Sequence, residues 1–247
     1  MALPVTATET APVPQRPMYP EGVLTKFSPE GVVLRFPGNT TLCHLPADCP
    51  LLPGLRDLYS ALAAHPVLSK KVHLLPPASW HMTVFDGVRD SEREPVLWPE
   101  GKHELPLAEM TSEFAGRLRE LGQQLEAEGL APPYRMRVRN FDGALIGIGI
   151  EVEGATADEE RRMRRLRDRL ADAMGFRAPN HETYQFHLSV AYLMRHLEPD
   201  DRAALDEVRD QHFPSIQREF TLGDVEFCTF EDMYSFPRVF YLGKNSQ

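Results

Sequence analysis

Two short segments of the chain share one pattern, in which a histidine and a small hydroxyl residue alternate with apolar residues. They are His81–Val84, with the sequence HMTV, and His187–Val190, with the sequence HLSV. Successive side chains of a β-strand point to opposite faces, so each histidine shares a face with its hydroxyl neighbour. The chain must therefore contain two strands that each turn one apolar face to a core and one polar face away from it.

The polar faces of these strands have a chemistry that can be named from the residue types alone. Two histidines with an ordinary pKa of ~6.5 serve as general base and general acid near neutral pH. The hydroxyls of Thr83 and Ser189 can donate to oxygens on which negative charge gathers. If the strands face each other across a cleft, His81 and His187 bracket a phosphodiester. One takes a proton from water and the other gives one to the leaving oxygen, and the residues leave open which does which.

A single His-x-Thr on a strand is more typical of a partly buried, hydrogen-bonded histidine than of a catalytic one. Two copies, 106 positions apart and each flanked by apolar residues, favour function. Phe85 has the strand parity of Thr83 and His81, so it is a candidate for stacking on a substrate base. Packing at the cleft edge is the alternative for that ring.

The doubled motif resembles the signature of the two-histidine (2H) phosphoesterase superfamily, which includes 2′-5′ RNA ligase-like proteins and cyclic phosphodiesterases. The segments GNTTLCH and LPPASWHMTVFDGV resemble a bacterial and fungal branch catalogued as a domain of unknown function. The resemblance implies a bilobal α+β fold, with two pseudo-symmetric lobes of mixed or antiparallel sheet, helices on the outer faces and a central cleft. It also implies His81 and His187 as the acid–base pair, Thr83 and Ser189 on the phosphate, and no metal or other cofactor.

Three functions compete on these residues. The first is a metal-independent hydrolase acting on a 2′,3′-cyclic nucleotide, an RNA-terminal cyclic phosphate or a related small cyclic phosphodiester. The second is a module that binds a nucleotide or an RNA end in the same cleft with little turnover. The third uses the histidines as metal ligands, which would need a third histidine or a carboxylate that neither motif contains.

Composition narrows the choice of partners. The chain has 247 residues, 42% of them hydrophobic, and a net charge of −9. A surface with this much negative charge repels long phosphate backbones. We therefore expect a small nucleotide-like or RNA-terminal substrate and no long nucleic acid. The sequence contains no run of ~18 apolar residues, so we expect no transmembrane helix. The first residues lack the basic and then apolar order of a secretory signal, so we expect a cytoplasmic protein.

The order of the remaining patterns predicts an α+β fold, because hairpins and strand–helix–strand steps are mixed. We interpret residues 1–20 as a disordered proline-rich leader and 21–247 as one domain. Two short strands are expected around Pro37–Asn39, and helices near 51–65, 111–129, 156–176 and 198–213. A hairpin is expected at Asp142–Gly143. Residues 89–107 are expected to form a loop.

Several side chains outside the motifs carry weaker predictions. Gln185 and His181 have the parity of His187 and could lie toward the cleft, whereas the parity of Tyr192 and Trp80 predicts burial. Gly147 and Gly149 indicate either room for a ligand or a close backbone contact. The six arginines between 161 and 169 are interpreted as a solvated face with acidic partners. Asn39 and Thr40 belong to the segment GNTTLCH, and the sequence predicts no role for them.

Overall fold

The computed structural model describes residues 16–143 and 146–243, and within these residues the chain forms four α-helices and nine β-strands. The helices are α1 (Leu52–Ala64), α2 (Leu107–Gly122), α3 (Ala157–Met174) and α4 (Pro199–Ile216). The strands are β1 (Gly38–His44), β2 (Val72–Leu74), β3 (His81–Arg89), β4 (Tyr134–Asp142), β5 (Gly147–Gly154), β6 (Phe186–Leu193), β7 (Glu219–Leu222), β8 (Glu226–Phe230) and β9 (Arg238–Tyr241).

The strands form two antiparallel sheets, which confirms the expected α+β class. One sheet has the strand order β3-β1-β8-β9 and the other the order β2-β6-β5-β4-β7. Each sheet contains one copy of the motif, because His81 begins β3 and His187 is the second residue of β6, and these two strands lie against each other. The buried residues of both sheets form one contiguous hydrophobic cluster, and the division into two lobes stays a prediction.

Helix α3 packs against strands of both sheets and so underlies the seam between them. Its apolar stripe is buried as the spacing predicts, since Met163, Leu166 and Leu170 have no exposed surface. Thr156 caps the helix by accepting a hydrogen bond from the Glu159 amide. Helix α2 packs beside α3, and α1 packs against α4.

Two expected elements differ from those observed. Residues 31–36 form no strand, because their polar backbone groups pair with the preceding turn and with Glu231 in place of a sheet neighbour. The N-cap of helix α2 is Pro106, five or six residues before the cap predicted at Thr111 or Ser112, and the helix ends at Gly122. The Thr111 hydroxyl accepts a hydrogen bond from the Asn39 amide instead of capping the helix.

The segment predicted as a leader lies mostly outside the described residues, since the structure describes it from residue 16. Residues 16–20 contact the rest of the fold: Arg16 forms an ion pair with Glu198, the Pro17 carbonyl contacts the His196 ring nitrogen, and Pro20 is buried. The described part of the predicted leader is therefore in contact with the domain, and the boundary itself stays a prediction. Among the described residues, no helix has both the length and the apolar character needed to cross a membrane.

Candidate active site

The two motifs meet in one cleft of about 400 Å³ between the sheets. His81, Thr83, His187 and Ser189 all line it, and all four side chains are partly exposed. The apolar residues between them are buried in the core, as the alternation predicts. The structure therefore brings together the four polar residues that the sequence analysis selected.

Both histidines are held by the same backbone contact. The Nδ1 atom of His81 lies 2.7 Å from the carbonyl oxygen of Ser79, and the Nδ1 atom of His187 lies 3.0 Å from that of Gln185. A carbonyl oxygen only accepts hydrogen bonds, so each Nδ1 carries the proton and donates it. Nε2 is left on each ring as the nitrogen that can exchange a proton with a bound ligand.

Each motif strand has a β-bulge directly after its hydroxyl residue. Against β1, Thr41 pairs with Phe85 and Leu42 with Thr83, so Val84 is the extra residue of β3. Against β5, the pairing passes from Ala191 to Ser189, so Val190 is the extra residue of β6. A bulge changes which face the following side chains occupy. The same shift therefore occurs at equivalent positions of both strands.

The bulges make two sequence predictions wrong. Phe85 turns into the core, where it is 1% exposed and packs on Phe176 and His181, so it does not line the cleft. Asp86 takes the cleft position in its place. Tyr192, predicted to be core, likewise lines the cleft. Regular alternation fails at these positions because the extra residue puts two consecutive side chains on the buried face.

His81 lies in the more enclosed of the two histidine environments. Its ring centroid is 4.3 Å from that of Phe236 and 6.0 Å from that of His44. Burial lowers the pKa of His81 to about 4, and the hydrogen bond to Ser79 opposes this shift only in part. His81 is therefore neutral at pH 7 in the unliganded protein.

The buried Arg167 cation contacts Tyr184, which is the neighbour of the Thr83 hydroxyl. Tyr184 lines the cleft near the Thr83 side chain, and burial raises the pKa of its phenol. The Arg167 guanidinium lies 3.7 Å from the Tyr184 ring centroid and donates to the Val84 carbonyl at 2.7 Å. Its Nε and Nη2 atoms are buried without a hydrogen-bond partner among the described residues. Burial lowers the pKa of Arg167. Burying a cation without a carboxylate partner costs free energy of folding.

The sequence analysis placed Arg167 among the arginines of a solvated face, and that interpretation is wrong for this residue. The other arginines of the run do form surface ion pairs, namely Arg161 with Asp158, Arg162 with Glu159, Arg164 with Glu160, and both Arg165 and Arg169 with Glu128. Arg167 follows Leu166 and precedes Leu170 on the buried side of α3. The helical spacing was the available signal, because position 167 falls beside the apolar stripe.

The rest of the cleft wall is partly aromatic and partly charged. Phe236, Phe230 and Phe36 form a run of rings that begins beside His81, with centroid separations of 5.2 Å and 6.4 Å between successive rings. No sequence motif marked these phenylalanines, which come from segments distant from both histidines. Arg89, at the end of β3, is neutralised by Asp86 at 2.9 Å and Glu92 at 2.6 Å.

Of the weaker predictions from the sequence, some are confirmed and others are not. Trp80 is buried, as predicted. His181 is also buried, 2.8 Å from Asp168, and does not line the cleft. The Gln185 side chain is exposed and accepts a hydrogen bond from Arg139.

Backbone contacts account for the residue types at the β5 glycines and at Asn39 and Thr40. A Cβ atom at Gly149 would lie 2.1 Å from the Leu188 carbonyl oxygen, which favours the close-contact interpretation of the two glycines. Asn39 is buried, and its Oδ1 atom accepts from the Val88 amide. Thr40 lines the cleft, and its hydroxyl donates to the Phe85 carbonyl at the bulge. Both residues therefore support the irregular part of β3.

Two clusters among the described residues have donor sets that suit a metal ion, and neither contains a motif histidine. They are His44 with Glu226 and Cys228, and Asp168 with His181 and Glu182. In the first cluster, the Glu226 carboxylate lies 3.1 Å from both His44 and Arg238. A guanidinium at that distance competes with a cation for the carboxylate, so this donor set fits a metal poorly.

Comparison with known proteins finds a family model that matches part of the chain and solved structures that resemble its fold. Residues 26–144 match the family model 2H-phosphodiest, described as a domain of unknown function (DUF1868). A conserved protein of unknown function from Agrobacterium tumefaciens has a solved structure that is similar over 92% of this chain and 94% of its own, with 28% identity and a TM-score of 0.77. No curated protein matches the sequence.

Two further solved structures are more distant. TT0787 of Thermus thermophilus has 13% identity and a TM-score of 0.45, over 86% of this chain and 100% of its own. LigT of E. coli in complex with 3′-AMP has 8% identity and a TM-score of 0.45, over 85% of this chain and 100% of its own.

Proposed function

We propose a function from the premise that the chain carries a domain of the 2H phosphodiesterase family, matched by residues 26–144, with the second histidine motif beyond that range. The function is metal-independent hydrolysis of a small cyclic phosphodiester, such as a 2′,3′-cyclic nucleotide or an RNA-terminal cyclic phosphate. The observation that carries it is the paired anchoring of His81 and His187 through Nδ1, which leaves two Nε2 atoms to serve one cleft.

We assign the base to His81 because its lowered pKa keeps the imidazole neutral at pH 7. Nε2 of His81 takes a proton from water as the water oxygen bonds to phosphorus. The bond from phosphorus to the leaving ribose oxygen breaks, and Nε2 of His187, in its protonated form, gives that oxygen a proton. The product is a phosphomonoester with a free hydroxyl. A bound phosphate raises the proton affinity of His81, which makes it a stronger base in the complex.

Thr83 and Ser189 donate to the phosphate oxygens that become more negative as the water adds. Their positions two residues after the histidines put both hydroxyls on the cleft side of the strands. Hydroxyl groups are poor ligands for zinc or manganese, and hydrolytic zinc sites use three protein ligands. These residue types therefore favour proton transfer and hydrogen bonding over coordination.

The test is turnover of a 2′,3′-cyclic nucleotide by the wild type, His81→Ala and His187→Ala. His212→Ala is a matched control, because His212 lies on α4 outside the cleft. We expect each cleft variant to lose ~10²–10⁴-fold in turnover and the control to keep it. Near-wild-type turnover in either cleft variant would overturn the acid–base assignment.

A chelator separates this mechanism from a metal-dependent one, and a binding titration separates it from a module without turnover. We expect activity to survive a strong chelator and to fall on both sides of a pH optimum, with limbs that belong to the histidine pair. Activity abolished by the chelator and restored by one divalent cation contradicts the proposal. Tight nucleotide binding by a wild type that turns over no cyclic phosphate contradicts it as well.

A further inference from the structure

Lys26 lines the same cleft as the two histidines but comes from a different part of the chain. Its ammonium donates to the Tyr192 hydroxyl at 3.3 Å and lies 4.9 Å from the Tyr192 ring centroid and 5.4 Å from that of Phe36. These contacts hold the cation over two aromatic faces, a geometry that restricts where the side chain can move. The charge is thus fixed at one place in the cleft wall.

Among the described residues Lys26 forms no ion pair with a carboxylate, in contrast to Arg89 in the same cleft. Arg89 is neutralised by Asp86 and Glu92. Within the described part of the chain this partly buried ammonium contacts the Tyr192 phenol and the Phe36 ring and forms no ion pair, so it retains most of its capacity to bind an anion.

The place of Lys26 relative to the histidine pair follows from the bulge in β6. The bulge at Val190 turns Tyr192 into the cleft three residues after Ser189. A strand rises by roughly 3.3 Å per residue, so Tyr192 lies about 10 Å along β6 from Ser189. Lys26 is fastened to Tyr192, so its charge marks a second position along the cleft, beyond the phosphate site.

We propose that Lys26 binds a second anionic group of the substrate, and that the substrate class is a cyclic phosphate bearing a further phosphate. The inference rests on the proposed function, because that function places the cyclic phosphate between His81 and His187. A cleft of about 400 Å³ has room for a nucleotide and not only for a bare phosphate ring. The rings of Phe230 and Phe236 supply an apolar wall for the part of the substrate between the two anions.

The competing interpretation is that Lys26 only fastens residues 20–36 to β6 through Tyr192. The two interpretations differ in what a neutral side chain does to two substrates that differ by one phosphate. If Lys26 binds the second phosphate, its loss affects only the substrate that carries one. If Lys26 is structural, its loss affects both substrates equally or neither, together with the free energy of unfolding.

The experiment compares adenosine 2′,3′-cyclic phosphate with its 5′-phosphorylated form for the wild type, Lys26→Met and Lys26→Arg. Lys70→Met is the matched control, because Lys70 is exposed and lies outside the cleft. We expect the wild type to prefer the 5′-phosphorylated substrate at least about ten-fold in kcat/KM, through KM. Lys26→Met should lose this preference and keep the value for the unphosphorylated substrate, whereas Lys26→Arg and Lys70→Met should retain the preference.

A wild-type ratio near one, or an equal loss on both substrates in Lys26→Met, would overturn the second-phosphate site. Failure of the proposed function is distinguishable, because the wild type would then turn over neither substrate. In that case calorimetric titration decides the matter without catalysis. Adenosine 3′,5′-bisphosphate should bind at least about ten-fold more tightly than adenosine 3′-monophosphate to the wild type and equally tightly to Lys26→Met. Equal binding of both compounds by the wild type contradicts the proposal.

Discussion

The strands β3 and β6 share one sequence pattern and one backbone irregularity, yet they place their histidines in different surroundings. His81 is enclosed by Phe236, which lies just before β9, and by His44 from β1. The ring contact found for His187 is with Tyr184, at a centroid separation of 6.0 Å. Strand β3 is at the edge of its sheet, whereas β6 lies between β2 and β5.

The two strands thus share their backbone geometry, whereas the pKa of His81 depends on neighbours from outside the motif. The Nδ1 contact and the bulge recur in both strands because they depend on the strand and its hydrogen bonds. The aromatic contacts of His81 come from residues outside the motif, and burial among them lowers its pKa. Four tests would break or sharpen the comparison, from the largest expected effect to the smallest.

The largest effect is expected from removal of the histidines, whether one is replaced or both. In the double variant His81→Ala with His187→Ala, turnover of a cyclic phosphate should fall no further than in the worse single variant, because base and acid act in one step. Single-turnover rates of all four proteins measure this. If the two losses multiply instead, each histidine acts independently, and the comparison of paired roles is wrong.

Removal of the hydroxyls should have a smaller effect that differs between the strands. Thr83→Val and Ser189→Ala each remove a donor worth about 2–4 kcal/mol in the transition state, or roughly 30–1,000-fold in rate. We expect Thr83→Val to lower the rate more than Ser189→Ala, because the Thr83 hydroxyl contacts Tyr184, which in turn packs against the Arg167 cation. Thr221→Val in β7, which is exposed, is the control. Unchanged rates together with a lower unfolding midpoint would make the two hydroxyls structural.

Arg167 should separate activity from stability. Arg167→Met removes a buried cation with two unpartnered donor atoms, and replacing buried charge by apolar volume is often neutral or stabilising. We expect turnover to fall about ten-fold, as the positive field behind Thr83 is lost, while the free energy of unfolding changes by less than about 1 kcal/mol. Urea denaturation and steady-state kinetics measure both quantities, with the exposed Arg165→Met as control. Strong destabilisation with unchanged kcat would show that Arg167 serves the core alone.

The smallest effect concerns stability as a function of pH. The folded protein protonates His81 with a pKa of about 4, whereas an unfolded histidine has a pKa of ~6.5. Between these values the unfolded chain binds more protons, so the free energy of unfolding falls as pH drops from ~6.5 to ~4. His81→Gln removes this contribution and should flatten the fall, while His212→Gln should follow the wild type. Parallel curves for wild type and His81→Gln would contradict the enclosed environment of His81.

Where side-chain alternation is regular, the sequence was sufficient to predict which side chains face the cleft. His81, Thr83, His187 and Ser189 are adjacent to apolar residues whose burial fixes the face, so period-two reasoning was sufficient. The helices α1 and α3 followed from their apolar spacing in the same way, and α4 followed from the acidic residues at its start.

Prediction failed where a contact from elsewhere in the chain changes the local geometry. Phe85 and Tyr192 change faces because of bulges whose pairing with β1 and β5 no local pattern reveals. Phe236 and Lys26 reach the cleft from distant segments with no motif of their own. Arg167 belongs to a run of arginines, and the composition of the run concealed the one member that points inward.

The strand order has a consequence for synthesis of the protein. The sheet that holds His81 begins with β1 and β3, but β8, the partner on the other side of β1, starts at Glu226. A ribosome adds ~5–20 residues per second, so β1 and β3 leave the exit tunnel on the order of ten seconds before β8. During that interval one edge of β1 is open to pairing with other chains. Until β8 is synthesised, the edge of β1 therefore lacks the neighbour that protects it in the folded sheet.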